Sequence, residues 1–149
     1  MPFRFSLQAV LRCRESFEQR ERQRLQMVIR ELVKAQAQRE EAKRERENAQ
    51  NELKSKLRQG MNATELQFEL ACDRSRVGRI TALTDQVAKL EDLRRRQLEV
   101  FHNAQRQREI LQNLRDRQLA AYQLIQRRRE QQQMDDRFLI THGGQTAQQ

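Results

Sequence analysis

Apolar side chains recur along this chain at alternating gaps of four and three residues, the spacing that forms a coiled-coil seam. In the first third of the chain, two interleaved rows start at Leu25 and Val28. The rows are Leu25, Leu32, Arg39, Arg46 and Leu53, and Val28, Ala35, Ala42 and Ala49. We expect Arg39 and Arg46 to keep their charged ends in water. Because alanine buries little area, this part of the seam is predicted to be weak.

A second pair of rows, with the same spacing, runs through the other half of the chain. Its members are Ile80, Leu83, Val87, Leu90, Arg94, Gln97, Phe101, Ala104, Arg108, Leu111, Arg115, Gln118, Tyr122 and Ile125. Further apolar residues widen the stripe on its flanks, namely Leu93, Leu98, Ile110, Leu114 and Leu119. The pattern predicts a helix over residues 63 to about 132, and the polar C-terminus predicts a disordered tail over about 139–149.

The two patterned segments are separated at Gly60, which is the first glycine in the chain. Glycine is the residue that most often closes a helix in the left-handed conformation. Asn62 and Glu65 then have the spacing of a capping box, which starts a new helix. We therefore predict a first helix over about 6–59, with Ser6 as its N-cap, and a turn over about 60–62.

These elements predict an all-α fold, an antiparallel two-helix coiled-coil hairpin that forms an elongated rod, as a single domain over residues 1–149. In such a hairpin, residues whose numbers add to about 121 lie opposite each other. Cys13 and Cys72 would then be about 50 Å apart at 1.5 Å per residue, too far for a disulfide. We expect both thiols to be reduced.

The second helix is predicted to be longer than the first and to extend beyond it from about Arg115. This overhang has an apolar stripe with no predicted partner in the chain, centred on Leu119, Tyr122 and Ile125. An unpaired apolar stripe on a charged protein indicates an interaction surface. The alternatives are that a second copy of the chain, or the N-terminal segment "PFRF", covers the stripe.

Composition narrows the possible functions. The chain has 149 residues, of which 34% are charged and 36% hydrophobic, and its formal net charge is +9. Arginine and glutamate alternate throughout, so most of this charge is expected to form solvated helix faces. The arginine clusters in "DLRRRQ" and "IQRRREQQQ" are short and flanked by acids or glutamines, which disfavours specific nucleic-acid binding.

Neither catalytic motifs nor metal-ligand spacings occur in the sequence. His102 and His142 have no second ligand at metal spacing, and there is no glycine-rich phosphate loop. We therefore expect neither an enzyme nor a bound cofactor. Arginines interrupt the N-terminal apolar stretch, and no apolar run is long enough to span a bilayer, which predicts a cytoplasmic protein. A structural coiled-coil adaptor or spacer remains an alternative function.

The C-terminal segment "LQNLRDRQLAAYQLIQRRREQQQMDDRF", Leu111–Phe138, resembles the FliJ family of bacterial flagellar export proteins, which are related in role to the YscO-type proteins of injectisomes. The runs "DRQLAA" and "QQQMD" carry most of the likeness, and the opening "FRFSLQAVLRCRE" is also similar. The resemblance implies a nonenzymatic component of the type III export apparatus in flagellum biogenesis and motility. It would be a rod similar to the stalk subunit of rotary ATPases, coupling the export ATPase to the export gate.

The resemblance also implies where partners bind. The end that carries both termini would bind the flagellar export ATPase, through Phe5, Asp116, Arg117, Gln118, Leu119, Tyr122, Ile125, Met134 and Asp135. The cytoplasmic domain of the export gate would contact apolar residues early in the second helix, here Cys72, Val77 and Ile80. Export chaperones are further implied partners. The protein would lie at the cytoplasmic face of the inner membrane, held there by its partners alone.

Overall fold

Two long helices make up almost all of the chain. The structure, a computed structural model, describes the backbone of residues 1–146 and the side chains of residues 1–144. Helix α1 spans Gln8–Gln59 and helix α2 spans Ala63–Thr146. No strand occurs in this described part, which confirms the predicted all-α class.

The turn between the helices is built by Gly60 and Asn62. Gly60 has a φ of 99°, in the left-handed region that glycine reaches without a steric penalty. Its N–H donates to the Leu57 carbonyl at 3.4 Å, which closes α1. The side-chain oxygen of Asn62 then accepts a hydrogen bond from the Glu65 N–H at 2.8 Å, which caps the start of α2.

The ends of both helices differ from the sequence prediction. Helix α1 begins at Gln8 rather than near Ser6, because the chain first makes a tight turn in which the Gln8 N–H donates to the Phe5 carbonyl at 3.1 Å. Helix α2 continues past residue 132 to Thr146, through most of the segment predicted to be disordered. Residues 147–149 of the predicted tail lie outside the described residues.

Local contacts explain why α2 continues this far. Gln131 donates to Asp135 at 3.0 Å, and the Phe138 ring stacks on His142 with ring centroids 4.0 Å apart. The Thr141 hydroxyl also donates to the Arg137 carbonyl at 2.8 Å. Side chains four residues apart lie on one face of a helix, so the Gln131–Asp135 and Phe138–His142 pairs stabilise it without any tertiary partner.

Contacts between Cα atoms divide the chain into two units. One unit is Gln19–Asn103, which contains the turn. Its seam buries mainly apolar residues, namely Leu25, Leu32, Ala35, Ala42 and Val87. Two cross-helix pairs fix the helix direction: Glu21 accepts from Gln97, and Arg46 donates to Asp73 at 3.0 and 3.3 Å. The two helices of this unit therefore run antiparallel.

The other unit combines Met1–Glu18 with the chain from Ala104 onward. Leu11 is its most buried side chain, and Phe5 and Ala104 are also buried. Glu18 accepts from Arg108, and the Met1 carbonyl accepts from Tyr122, so the two segments are again antiparallel. The predicted antiparallel two-helix hairpin is confirmed.

The seam of α2 departs from the predicted rows at three positions. Arg94, Gln118 and Ile125 are exposed, and Leu119 is half-buried where the sequence predicted Gln118. An α-helix has 3.6 residues per turn, so a stripe with a seven-residue period drifts by about 20° per heptad. At this point in α2, the drift leaves Gln118 exposed and places Leu119 on the half-buried side of the helix instead. Arg94 reaches water, as a long cationic side chain at a seam is expected to do.

Candidate partner-binding surface

The N-terminal arm, Met1–Phe5, lies against the C-terminal half of α2. Phe5 is buried and is joined to the first turn of α1 through its carbonyl. Phe3 packs on Tyr122, with the ring centroids 5.7 Å apart, and the Tyr122 hydroxyl donates to the Met1 carbonyl. The arm thus gives α2 an apolar partner next to the start of α1.

This arrangement corrects the prediction that the Leu119–Ile125 stripe has no partner in the chain. Tyr122 and Leu119 are both half-buried, and the contacts of Tyr122 come from the arm. For Tyr122, the alternative interpretation, cover by the "PFRF" segment, is the one that the structure shows. Leu124 and Ile125 remain exposed, each with 48% of its surface accessible. The three residues of the predicted stripe, Leu119, Tyr122 and Ile125, therefore do not form one exposed face.

The polar residues predicted for the same surface are all exposed. Asp116 accepts a hydrogen bond from Gln112 at 3.1 Å, within one turn of α2. Arg117 and Gln118 follow it on the exposed side. Farther along α2, Met134 is exposed beside Asp135, which is held by Gln131. These side chains are available to a partner without any change in the helix.

The extended end of α2 adds apolar residues that the sequence interpretation missed. Phe138, Leu139 and Ile140 are all exposed, beyond the predicted end of the helix at about residue 132, and the last two fall in the predicted tail. Contacts within α2, such as that of Phe138 with His142, support the helix in which these residues lie. The absence of proline after Pro2 was the signal in the sequence that the helix could continue.

A second feature missed from the sequence is a cavity between the arm and α2. The cavity has a volume of about 300 Å³ and is lined by Phe3, Arg4, Phe5, Gln8 and Arg115. The Nε atom of Arg115 is buried and has no hydrogen-bond partner in the described part of the chain. The surface near the termini therefore contains an arginine that is not fully satisfied within the hairpin.

Arg108, one heptad earlier on α2, has the opposite environment. Its Nε donates to Glu18 Oε2 at 2.6 Å and its Nη2 donates to Glu18 Oε1 at 3.4 Å. The hydrogen bond to Glu18 raises the pKa of Arg108, although burial acts in the opposite direction. Arg108 is thus neutralised inside the seam, whereas Arg115 is not.

Comparison with known families decides the assignment of this hairpin. The model of the family described as flagellar FliJ protein matches residues 3–146, which is nearly the whole chain and includes the two phenylalanines of the arm and the extended α2. The chain belongs to the FliJ family. No curated protein and no solved structure matches it. As a member of the FliJ family, a structural family, it has a role associated with flagellar export.

The gate-binding residues suggested by the FliJ resemblance are unequally accessible. Cys72 and Ile80 are half-buried on the inner side of α2, and Val77 has 39% of its surface exposed. Phe68, nine residues before Val77 and nearer the turn, is more exposed, at 67%. It lines a shallow cavity of about 480 Å³ with Met61 of the turn and residues from the adjoining ends of both helices. The sequence interpretation did not include Phe68.

The described residues form neither a membrane-spanning helix nor a cluster of metal ligands. In the part of this FliJ-family chain that the structure describes, no helix combines the length and the apolar character needed to cross a bilayer. Among the same residues, no three His, Cys, Asp or Glu side chains are grouped so that they could hold a metal ion.

Proposed function

We propose that this FliJ-family protein binds the flagellar export ATPase through the end that carries both termini and connects that ATPase to the export gate. The observation that carries the proposal is the family match over residues 3–146. The protein acts without catalysis, as a structural coupling element at the cytoplasmic face of the inner membrane, where its partners hold it.

The ATPase contact is proposed to centre on the exposed apolar residues Leu124 and Ile125. Exposed apolar patches with polar rims are typical of protein-binding surfaces. Exposed polar residues occur on α2 both before this pair, at Asp116 and Arg117, and after it, at Asp135. Phe5 contributes by anchoring the arm rather than by direct contact, since its side chain is buried.

The gate contact is proposed for the part of α2 nearer the turn. Of the residues suggested by the family resemblance, Val77 is the most accessible, so it would contact the gate directly. Cys72 and Ile80 would support the same surface from the seam side. Phe68 extends this surface towards the turn with a large exposed ring. Export chaperones would be transient partners of the same protein.

Replacing Leu124 and Ile125 by serine in the full chain tests the ATPase contact. Burial of one such side chain in an interface contributes about 1.5–3 kcal/mol, so the double variant should bind the export ATPase of the same genome at least about tenfold more weakly. Its thermal stability should stay close to that of the unmodified protein, because both side chains are exposed in the hairpin. Isothermal titration calorimetry and circular dichroism measure the two quantities.

Two control variants make the result specific. Met27 and Val33 are exposed on α1 in the other unit, and their replacement by serine should leave ATPase binding unchanged. Val87 and Leu90 pack in the seam, and their replacement should lower the melting temperature. Normal binding by the Leu124/Ile125 variant would place the contact elsewhere, and no binding by the unmodified protein would reject the function itself.

A further inference from the structure

Arg115 has a buried polar atom for which the hairpin provides no partner. Two buried arginine Nε atoms in the described residues lack a hydrogen-bond acceptor, those of Arg39 and Arg115. Arg39 still has the Glu40 carboxylate at 3.6 Å, within ion-pair distance. No carboxylate of the described residues forms an ion pair with Arg115. A buried donor without an acceptor destabilises a fold, so each such group needs an explanation.

The cavity around Arg115 has the composition of an anion site. Arg4, which also makes no ion pair with the described residues, lines the cavity together with Gln8. The remaining walls are the rings of Phe3 and Phe5, and the lining includes no acidic residue. Two arginines therefore line one cavity, and no acidic residue of the described part of the chain lines it with them. The phenylalanines shield part of this open cavity from water, which strengthens a charged hydrogen bond formed on that side.

Arg108 shows how the same seam treats an arginine when an acid is available. One heptad before Arg115, it forms two hydrogen bonds with the Glu18 carboxylate of α1. The equivalent space opposite Arg115 is occupied by the arm, which contributes phenylalanines and a further arginine. The cavity therefore suits a carboxylate supplied by a partner, since none of the described residues provides one there.

We propose that this cavity receives an aspartate or glutamate side chain of the export ATPase, which pairs with Arg115 and Arg4. The inference rests on the proposed function and names the chemistry of the same terminal surface. A guanidinium presents two parallel N–H donors that match the two oxygens of a carboxylate. The buried Nε becomes available when the arm shifts to admit the acid. Arg115 therefore contributes to binding and at the same time lowers the stability of the free hairpin.

The substitution Arg115→Met separates binding from stability. It keeps an unbranched side chain of similar length and removes the unpartnered donor, so the melting temperature of the hairpin should rise. Affinity for the ATPase should fall at least about tenfold, because one side of a desolvated charge pair is lost. An arginine that served only the fold would give the opposite change in melting temperature.

Arg39→Met is the matched control, since it also removes a buried arginine Nε but lies in the other unit. It should leave ATPase binding unchanged. Arg4→Met is a second test variant, because Arg4 is exposed and its loss should weaken binding without changing the melting temperature. Each aspartate and glutamate on the ATPase surface should then be replaced in turn by lysine. One of these replacements should cause no further loss of affinity when it is combined with Arg115→Met.

The outcomes distinguish the two proposals. If the unmodified protein binds the ATPase and Arg115→Met and Arg4→Met bind equally well, the acid site is wrong and the proposed function stands. If the unmodified protein does not bind the ATPase, both are wrong. Weaker binding by Arg115→Met together with a higher melting temperature, and coupling to one acid of the ATPase, would establish the site.

Discussion

The buried ion pair between Glu18 and Arg108 gives a quantitative prediction about the seam. Glu18 is 6% exposed although it is charged, and it receives two hydrogen bonds from Arg108. Changing Arg108 to methionine leaves the carboxylate in the seam without that guanidinium. Removing one partner of a fully buried pair costs about 3–5 kcal/mol. Because the Arg108 side chain keeps 25% of its exposure, we expect a smaller loss, about 2–3 kcal/mol.

The double variant Glu18→Leu/Arg108→Met should behave differently from either single change. Both positions belong to the seven-residue rows that also contain Leu11 and Leu25 on α1 and Phe101 and Arg115 on α2. Apolar residues at both places would pack as an ordinary seam layer, and replacing a buried ion pair in this way is often neutral or stabilising. Urea denaturation, followed by helical circular dichroism, measures all three variants against the unmodified chain.

The exposed Arg117 is the control for loss of positive charge, and Arg117→Met should change the unfolding free energy by less than about 0.5 kcal/mol. The explanation fails if Arg108→Met costs no more than this control. It also fails if the double variant is as unstable as the single Arg108 variant, since the cost would then come from lost packing and not from loss of the Arg108 guanidinium beside the buried carboxylate.

Two further predictions concern the turn and the acid stability of the hairpin. Gly60→Ala should lower the unfolding free energy by about 1–2 kcal/mol, because alanine is strained at a φ of 99°. Gly78→Ala, inside α2, should instead raise the unfolding free energy by about 1 kcal/mol. Urea midpoints that move in the same direction for both variants would contradict the assigned backbone conformations. The hydrogen bond from Arg46 lowers the pKa of Asp73, so its contribution to stability is complete above the ordinary pKa of aspartate and is lost as the pH falls through the lowered value. Asp73→Asn should therefore reduce the loss of stability measured below about pH 4, and an unchanged acid limb would show that the pair does not act in solution.

The seam of α1 between Leu25 and Leu53 could be predicted from the sequence alone. Each of its nine predicted positions is buried or half-buried in the structure. Periodicity is sufficient there because alanine and leucine identify the inner face, and Arg39 and Arg46 continue the same rows. The capped turn was equally predictable, since Gly60 and Asn62 act on neighbouring backbone groups.

The rows also extend backwards through Glu21 and Glu18 to Leu11, and that part was not predicted. A pattern read from hydrophobicity assigns glutamate to the solvated face, so it does not detect a buried carboxylate. Burial of Glu18 depends on Arg108, which is 90 positions away in the sequence. Glu21 similarly depends on Gln97. Polar layers of this kind become visible only when the two helices are aligned.

The candidate binding surface is the part where periodicity was least informative. The heptad spacing places Arg108 and Arg115 in equivalent positions, yet one is paired and the other is not. The difference lies in the opposing segment, which is helical and acidic at Glu18 but is a non-helical arm with two phenylalanines near Arg115. A sequence that is consistent with its fold at every level leaves no such donor unpaired, and departures of this kind are expected at functional sites. The exposed Leu124 and Ile125 and the unpaired Arg115 are therefore better guides to partner binding than the stripe from which the surface was first predicted.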